Sequence, residues 1–140
     1  MRLDLYQAET AVIAREQAVM LAEARERVLA GGSLSRLEQN GVLHALQVLV
    51  ENAIGKAKHL IKAACEPVPV SADDSFRVLA RILGLSSQEL EQWNAIIGLR
   101  NRIVHDYMNL DMRRVLQVVE SGGYTFVVDF LLASPEETGK

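Results

Sequence analysis

Between Leu37 and Cys65, the apolar residues Leu43, Leu46, Val50, Ile54, Ala57 and Ile61 recur every three or four positions. That spacing lays them along one stripe of a single long helix. A stripe of this length needs several partners to cover it. The remaining segments read as the helices that do so.

Residues 3 to 30 carry Leu5, Val12, Val19, Val28 and Leu29 among many Ala, Glu, Arg and Gln residues, which are good helix formers. The "GGS" at 31–33 stops that helix, and Ser33 and Ser35 are candidate N-caps for the next. "EPVPVSADD" ends the second helix, because proline removes a donor and fixes the backbone. A short helix is expected from about Ser75 to Leu83, capped by Asp73 or Asp74 and closed by Gly84. Ser86 with Glu89 has the capping-box form, and the helix it starts carries Leu90, Trp93, Ile96, Ile97 and Ile103. "NLD" at 109–111 reads as a break and a new cap. A last helix is expected over about 112–132, weakened at Gly122 and Gly123 by about 1 kcal/mol each relative to alanine.

No segment alternates convincingly with period two, and no internal repeat is present. "YTFVVDFLL" has strand propensity but no second strand to pair with, so it joins the last helix. The fold class is therefore all-α: an up-and-down four-helix bundle with one additional short helix. The 140 residues read as one domain over 1–140, with a frayed tail from about 134.

Composition narrows the function. A net charge of -3 leaves no global basic footprint, which argues against non-specific coating of nucleic acid but not against one local basic site. With one cysteine, Cys65, no disulfide can form within the chain, and a small core residue near a helix end is the plain reading of it. The N-terminus lacks a long apolar run, and no segment is apolar for long enough to span a bilayer. A cytoplasmic protein that does not engage membranes is the expectation.

The densest polar group is "RNRIVHDY", 100–107, directly after the core residues Ile96, Ile97 and Leu99. On a straight helix Arg100 and His105 would point roughly 140° apart. Arg102 and His105, three apart, would share a face. Tyr107 follows Ile103 by four and could extend the core stripe. A structural reading is thus open: Tyr107 in the core, Arg102 and His105 a surface pair, Arg100 and Asp106 solvated.

"GLRNRIVHDY" also resembles the signature of the HEPN superfamily, and most nearly that of its HepT-like branch: Arg, four residues, His, one residue, Tyr. Arg100, His105 and Tyr107 meet it without gaps, and Asn101 fills the polar position after the arginine. "LQVLVENAIGKAKHLI" is similar to that family's second helix, and "DSFRVLARILGLSSQELEQW" to its connecting segment. The similarity covers most of residues 37 to 115; the first and last helices match only in pattern. The resemblance implies a HEPN-like bundle that dimerises, with the two motifs lining one composite cleft. It implies a metal-independent endoribonuclease, the toxin of a type VII toxin–antitoxin system, with no cofactor. Its partners would be RNA and a small MNT-type nucleotidyltransferase antitoxin that transfers AMP to Tyr107.

The residue types suit that chemistry. RNA carries its own nucleophile, the 2′-OH. A histidine, ordinarily near pKa 6.5, can take or supply a proton. An arginine offers fixed charge and a fork of donors to phosphate oxygens. His105 is then the acid/base, Arg100 the phosphate clamp and Asn101 an orienting hydrogen-bonder. Asp106 either orients the imidazole or is solvated, and Arg102 is a second phosphate contact or plain surface. Glu51, lodged in an apolar stretch, is a candidate to pair with Arg100 across the bundle. His44 and His59 have no recognised metal spacing and read as surface or half-buried residues. Lys56, Lys58 and Lys62 read as a solvated face before an RNA contact. The competing functions are a non-catalytic HEPN binding subunit beside a nucleotidyltransferase and an adaptor whose polar cluster is structural.

Overall fold

The long second helix is the axis of the bundle. A computed structural model describes residues 3–134, and the expected frayed tail lies, beyond Ser134, outside the described residues. The elements are α1 (Leu3–Leu29), α2 (Arg36–Ala63), α3 (Ala72–Leu83), α4 (Ser87–His105), α5 (Met112–Ser121) and α6 (Thr125–Leu132), with a 3₁₀ turn at Tyr107–Asn109. Helix α2 packs against α1, α3, α4 and α6, while α1 also meets α5 and α6. Its stripe is buried as the spacing predicts: Leu43, Leu46, Val50, Ala57 and Ile61 are all core residues, and Ile54 packs against them.

The helix starts follow local chemistry. Ser35 caps α2 and Ser86 caps α4, each in a reciprocal capping box with Glu38 or Glu89. The Ser86 backbone N–H, and with it the bond Ser86 shares with Glu89, holds the Glu89 carboxyl below its ordinary value. Helix α3 begins earlier than expected. Its cap is Ser71, whose hydroxyl accepts from the Asp74 N–H, while Asp73 and Asp74 lie in the first turn, where the helix dipole favours carboxylates.

Three expectations give way to packing. The last helix is two: α5 and α6 meet at a bend of 59°. Gly122 takes a left-handed conformation (φ 71°), its N–H reaches the Val119 carbonyl, and the Gly123 N–H reaches Val118. That is a Schellman end, and two adjacent glycines make it cheap. Helix α1 exposes most of its large apolar residues, Leu5, Val12, Val19 and Leu29, and buries Thr10, Ala14, Gln17, Leu21 and Ala24 instead. On α2, Gly55 leaves room for the Tyr6 side chain of α1: a Cβ there would stand 2.6 Å from the Tyr6 hydroxyl. Lys56 is not solvated but 1% exposed, and its Nζ donates to the Phe130 and Ala133 carbonyls at the end of α6 (2.5 and 2.6 Å). Its neighbour Lys58 donates to the Val70 carbonyl, tying down the loop before α3.

Aromatic packing joins α3, α4 and α6. Phe76 stacks on Trp93 at 4.3 Å, and Phe126 and Phe130 present edges to Trp93 at 4.8 and 5.0 Å. Phe76 is fully buried, worth about 2–3 kcal/mol in water-excluded area alone. This cluster anchors the α4 segment from which the polar motif emerges. No single described helix is long and apolar enough to cross a membrane.

Candidate functional site

Helix α4 carries the motif to the surface. Leu99 and Ile103 are buried, and between them Arg100 and Asn101 are half-buried while Arg102 is exposed. Arg100 Nε is buried with no hydrogen-bond acceptor among the described residues. A guanidinium holding an unpaired buried donor is costly unless something else accepts it. Helix α4 then ends at His105, which is exposed. Asp106 leaves helical geometry at φ -141°, its N–H returning to the Arg102 carbonyl. The 3₁₀ turn follows, and Asp111 caps α5 by accepting from the Arg113 N–H.

The helix end decides where Tyr107 goes. The four-residue step from Ile103 would have put it in the core had the helix continued. Because α4 stops two residues earlier, the ring is 52% exposed and is not a core residue. Its hydroxyl donates to Oδ1 of Asn40 on α2 at 2.9 Å. A shallow hollow of about 170 Å³ lies around it, lined by Arg36, Gln39, Asn40, Leu43, Leu110 and Met112.

The remaining candidates divide. Asp106 accepts from Asn109 Nδ2 at 2.8 Å, so it braces the turn rather than the imidazole. Arg102 and Arg114 line two hollows between α4 and α5. One of these is mainly apolar, lined also by Ile96, Leu99, Val118 and Phe126. Glu51 is exposed and accepts from Gln47 Nε2 on its own helix (3.5 Å). No ion pair joins it to Arg100 among the described residues. Nor does any side-chain hydrogen bond join Arg100, Asn101 and His105 to one another there; Arg100 and His105 diverge around the helix, while Asn101, four residues before His105, shares its face. His44 is exposed, and His59 is half-buried, stacked on Tyr6 at 3.9 Å with Nδ1 against the Gly55 carbonyl. Cys65 is exposed, not core, and has φ 61°.

Sequence reasoning missed Asn40, Asn109 and Arg114. Asn109 and Arg114 lie close to the motif in the chain, and the "NLD" break could have drawn them in. Nothing local marks Asn40, which is 67 positions from Tyr107 and meets it only through packing.

Comparison with known proteins agrees with this architecture. The mRNA nuclease HepT of Shewanella oneidensis is 33% identical over 82 residues, 59% of this chain. The match spans 62% of that relative's length. The fold is similar to that in a toxin–antitoxin complex crystallised with AMP-PNP, with a TM-score of 0.75 and 21% identity over 90% of this chain and 97% of that one. It is also similar to the tri-AMPylated HEPN toxin of Shewanella oneidensis in complex with MNT antitoxin, with a TM-score of 0.72 and 24% identity over 90% and 96% of the two chains. The family model for ribonuclease HepT-like proteins matches residues 14–129, from within α1 to α6 and across the whole polar motif, and the chain belongs to that family.

Proposed function

We propose that this chain is the toxin of a type VII toxin–antitoxin pair: a metal-independent endoribonuclease, silenced when an MNT-type nucleotidyltransferase transfers AMP to Tyr107. The observation that carries the nuclease half is Arg100, half-buried near the end of α4, its Nε without a hydrogen-bond acceptor among the described residues. An RNA phosphate is an acceptor of the right charge for that fork. His105 is exposed five residues on, at the helix end, where a substrate can reach it. In this mechanism the 2′-oxygen attacks phosphorus, and imidazole takes the 2′-OH proton or protonates the leaving 5′-oxygen. The products are a 2′,3′-cyclic phosphate and a free 5′-OH. Arg100 steadies the added negative charge in the transition state, and Asn101 orients the phosphate beside it. Because the two groups diverge around one helix, two chains place their motifs on one cleft, and each active centre draws on both. Arg102 and Arg114 extend the positive edge along which RNA lies.

The silencing half rests on Tyr107, exposed two residues from His105, and on the tri-AMPylated state of the similar HEPN toxin. Phosphate attached there adds negative charge two residues from His105, which repels the RNA backbone. The test uses purified chain and RNA. His105→Ala should cut at least about a hundredfold more slowly than wild type with unchanged helical content. Wild-type cleavage should persist in EDTA and leave cyclic phosphate ends. Cleavage that needs a divalent metal, or a His105→Ala chain that cuts normally, removes this mechanism.

A further inference from the structure

The hydroxyl of Tyr107 is held from outside its own motif. It donates to Oδ1 of Asn40, on the second turn of α2, at 2.9 Å. Arg36 stands four residues before Asn40 on that helix, hence on the same face, and lines the same hollow beside the phenol. The Asn40 Nδ2 makes no hydrogen bond among the described residues. At about 170 Å³ the hollow is below the roughly 300 Å³ at which pockets for whole small molecules begin. It has room for a phosphate group rather than for a nucleotide.

We infer that Asn40 and Arg36 are the positioning residues of the Tyr107 modification site, built to serve the tyrosine before and after AMP transfer. The inference rests on Tyr107 being the AMP acceptor. Before transfer, the amide oxygen takes the phenol hydrogen bond and fixes the direction of the oxygen lone pairs. In the transfer, Tyr107 Oη bonds to the α-phosphorus of ATP, the bond from that phosphorus to the bridging oxygen breaks, pyrophosphate leaves, and the phenolic proton passes to water. The ester oxygen then has no hydrogen to donate. The same amide can turn its Nδ2 donors to the new phosphate oxygens, since an asparagine carries both an acceptor and two donors. Arg36 adds fixed positive charge on that side. A carboxylate at position 40 could accept from the phenol but would repel the phosphate.

The test incubates the full chain with ATP and a purified MNT-type nucleotidyltransferase and follows intact mass with time. Asn40→Ala should lower the transfer rate at saturating transferase about five- to tenfold, the cost of one hydrogen bond, and leave the KM for the transferase unchanged. Asn40→Asp should be slowed as well. Arg36→Ala should be slowed, and Arg36→Lys should recover most of the rate. Melting curves close to that of wild type show that each variant is folded. A wild-type chain that is modified while Asn40→Ala and Asn40→Asp keep its rate overturns this inference alone. So does a loss confined to KM, which would make Asn40 a docking contact. A wild-type chain left unmodified by a transferase that consumes ATP overturns the acceptor reading of Tyr107 beneath it.

Discussion

Cys65 is a residue in the wrong conformation for its type. The Cys65 N–H reaches the Lys62 carbonyl and the Glu66 N–H reaches Ile61, a Schellman end that needs its central residue left-handed. Gly31, Gly84 and Gly122 hold positive φ at the ends of α1, α3 and α5, whereas α2 uses a cysteine at φ 61°. Left-handed geometry costs an L-residue about 1–2 kcal/mol, partly offset by the extra freedom glycine would have in the unfolded chain. Cys65→Gly should therefore stabilise the fold by about 0.5–1 kcal/mol. A raised urea midpoint at unchanged slope checks it, and a lowered midpoint would mean that the exposed thiol makes up for the strain. The spacing of Arg100, His105 and Tyr107 was legible in the sequence, and Cys65 was not. A lone cysteine after an apolar stripe reads as core, and the only hint of a helix end with reversed φ is Pro67 shortly after it. Tyr107 was misplaced by its simplest reading for a related reason: helical spacing from Ile103 holds only while the helix lasts, and α4 ends at His105.

At the scale of elements, Lys56 shows why a cation on a helix face need not be solvated. It lies one residue before Ala57 on the buried stripe, and its stem passes through the core to the last carbonyls of α6, with Nζ 4.9 Å from the Phe130 ring centroid. A cation there meets the negative end of the α6 dipole and accepting carbonyls that the end of the helix leaves free. The short α6 exists as a separate docked element because Gly122 breaks the chain before it, and Lys56 fastens its far end. Lys56→Met keeps the apolar stem and removes the donors. It should destabilise the protein by about 1–3 kcal/mol, with the loss felt first in amide exchange over 125–132. Equal protection of α6 in both chains would show that packing of Val127, Val128 and Leu131 alone holds it. None of this was visible in "GKAKHLIK", where three lysines in seven residues look like one charged surface. Periodicity located all the long helices, because it reports which face is apolar. It could not say that α1 would turn its small residues inward, since that depends on how closely α2 approaches.

The whole molecule carries the remaining step, from one chain to two. Around the helix end, Val104 is 39% and Met108 91% exposed, and Leu37 at the start of α2 is 82% exposed. Exposed apolar surface is suited to being covered, and in the proposed dimer a second copy of the chain would cover it while bringing a second motif. In the proposed dimer the shared cleft holds two active centres, each taking Arg100 from one chain and His105 from the other, an arrangement that their divergence around α4 allows. Mixed dimers decide it. Arg100→Ala and His105→Ala homodimers should each be inactive. When the two variants are unfolded together and refolded, half the dimers by random pairing are mixed. If the centre is shared, each mixed dimer has one active centre with both residues missing and one intact, so cleavage returns to about a quarter of the wild-type rate. If Arg100 and His105 act within a single chain, every active centre still lacks one of them and the mixture stays inactive. Recovery at the expected level would tie the exposed apolar rim, the buried Nε of Arg100 and the exposed His105 to one shared site, whereas a silent mixture would leave each chain to assemble its own.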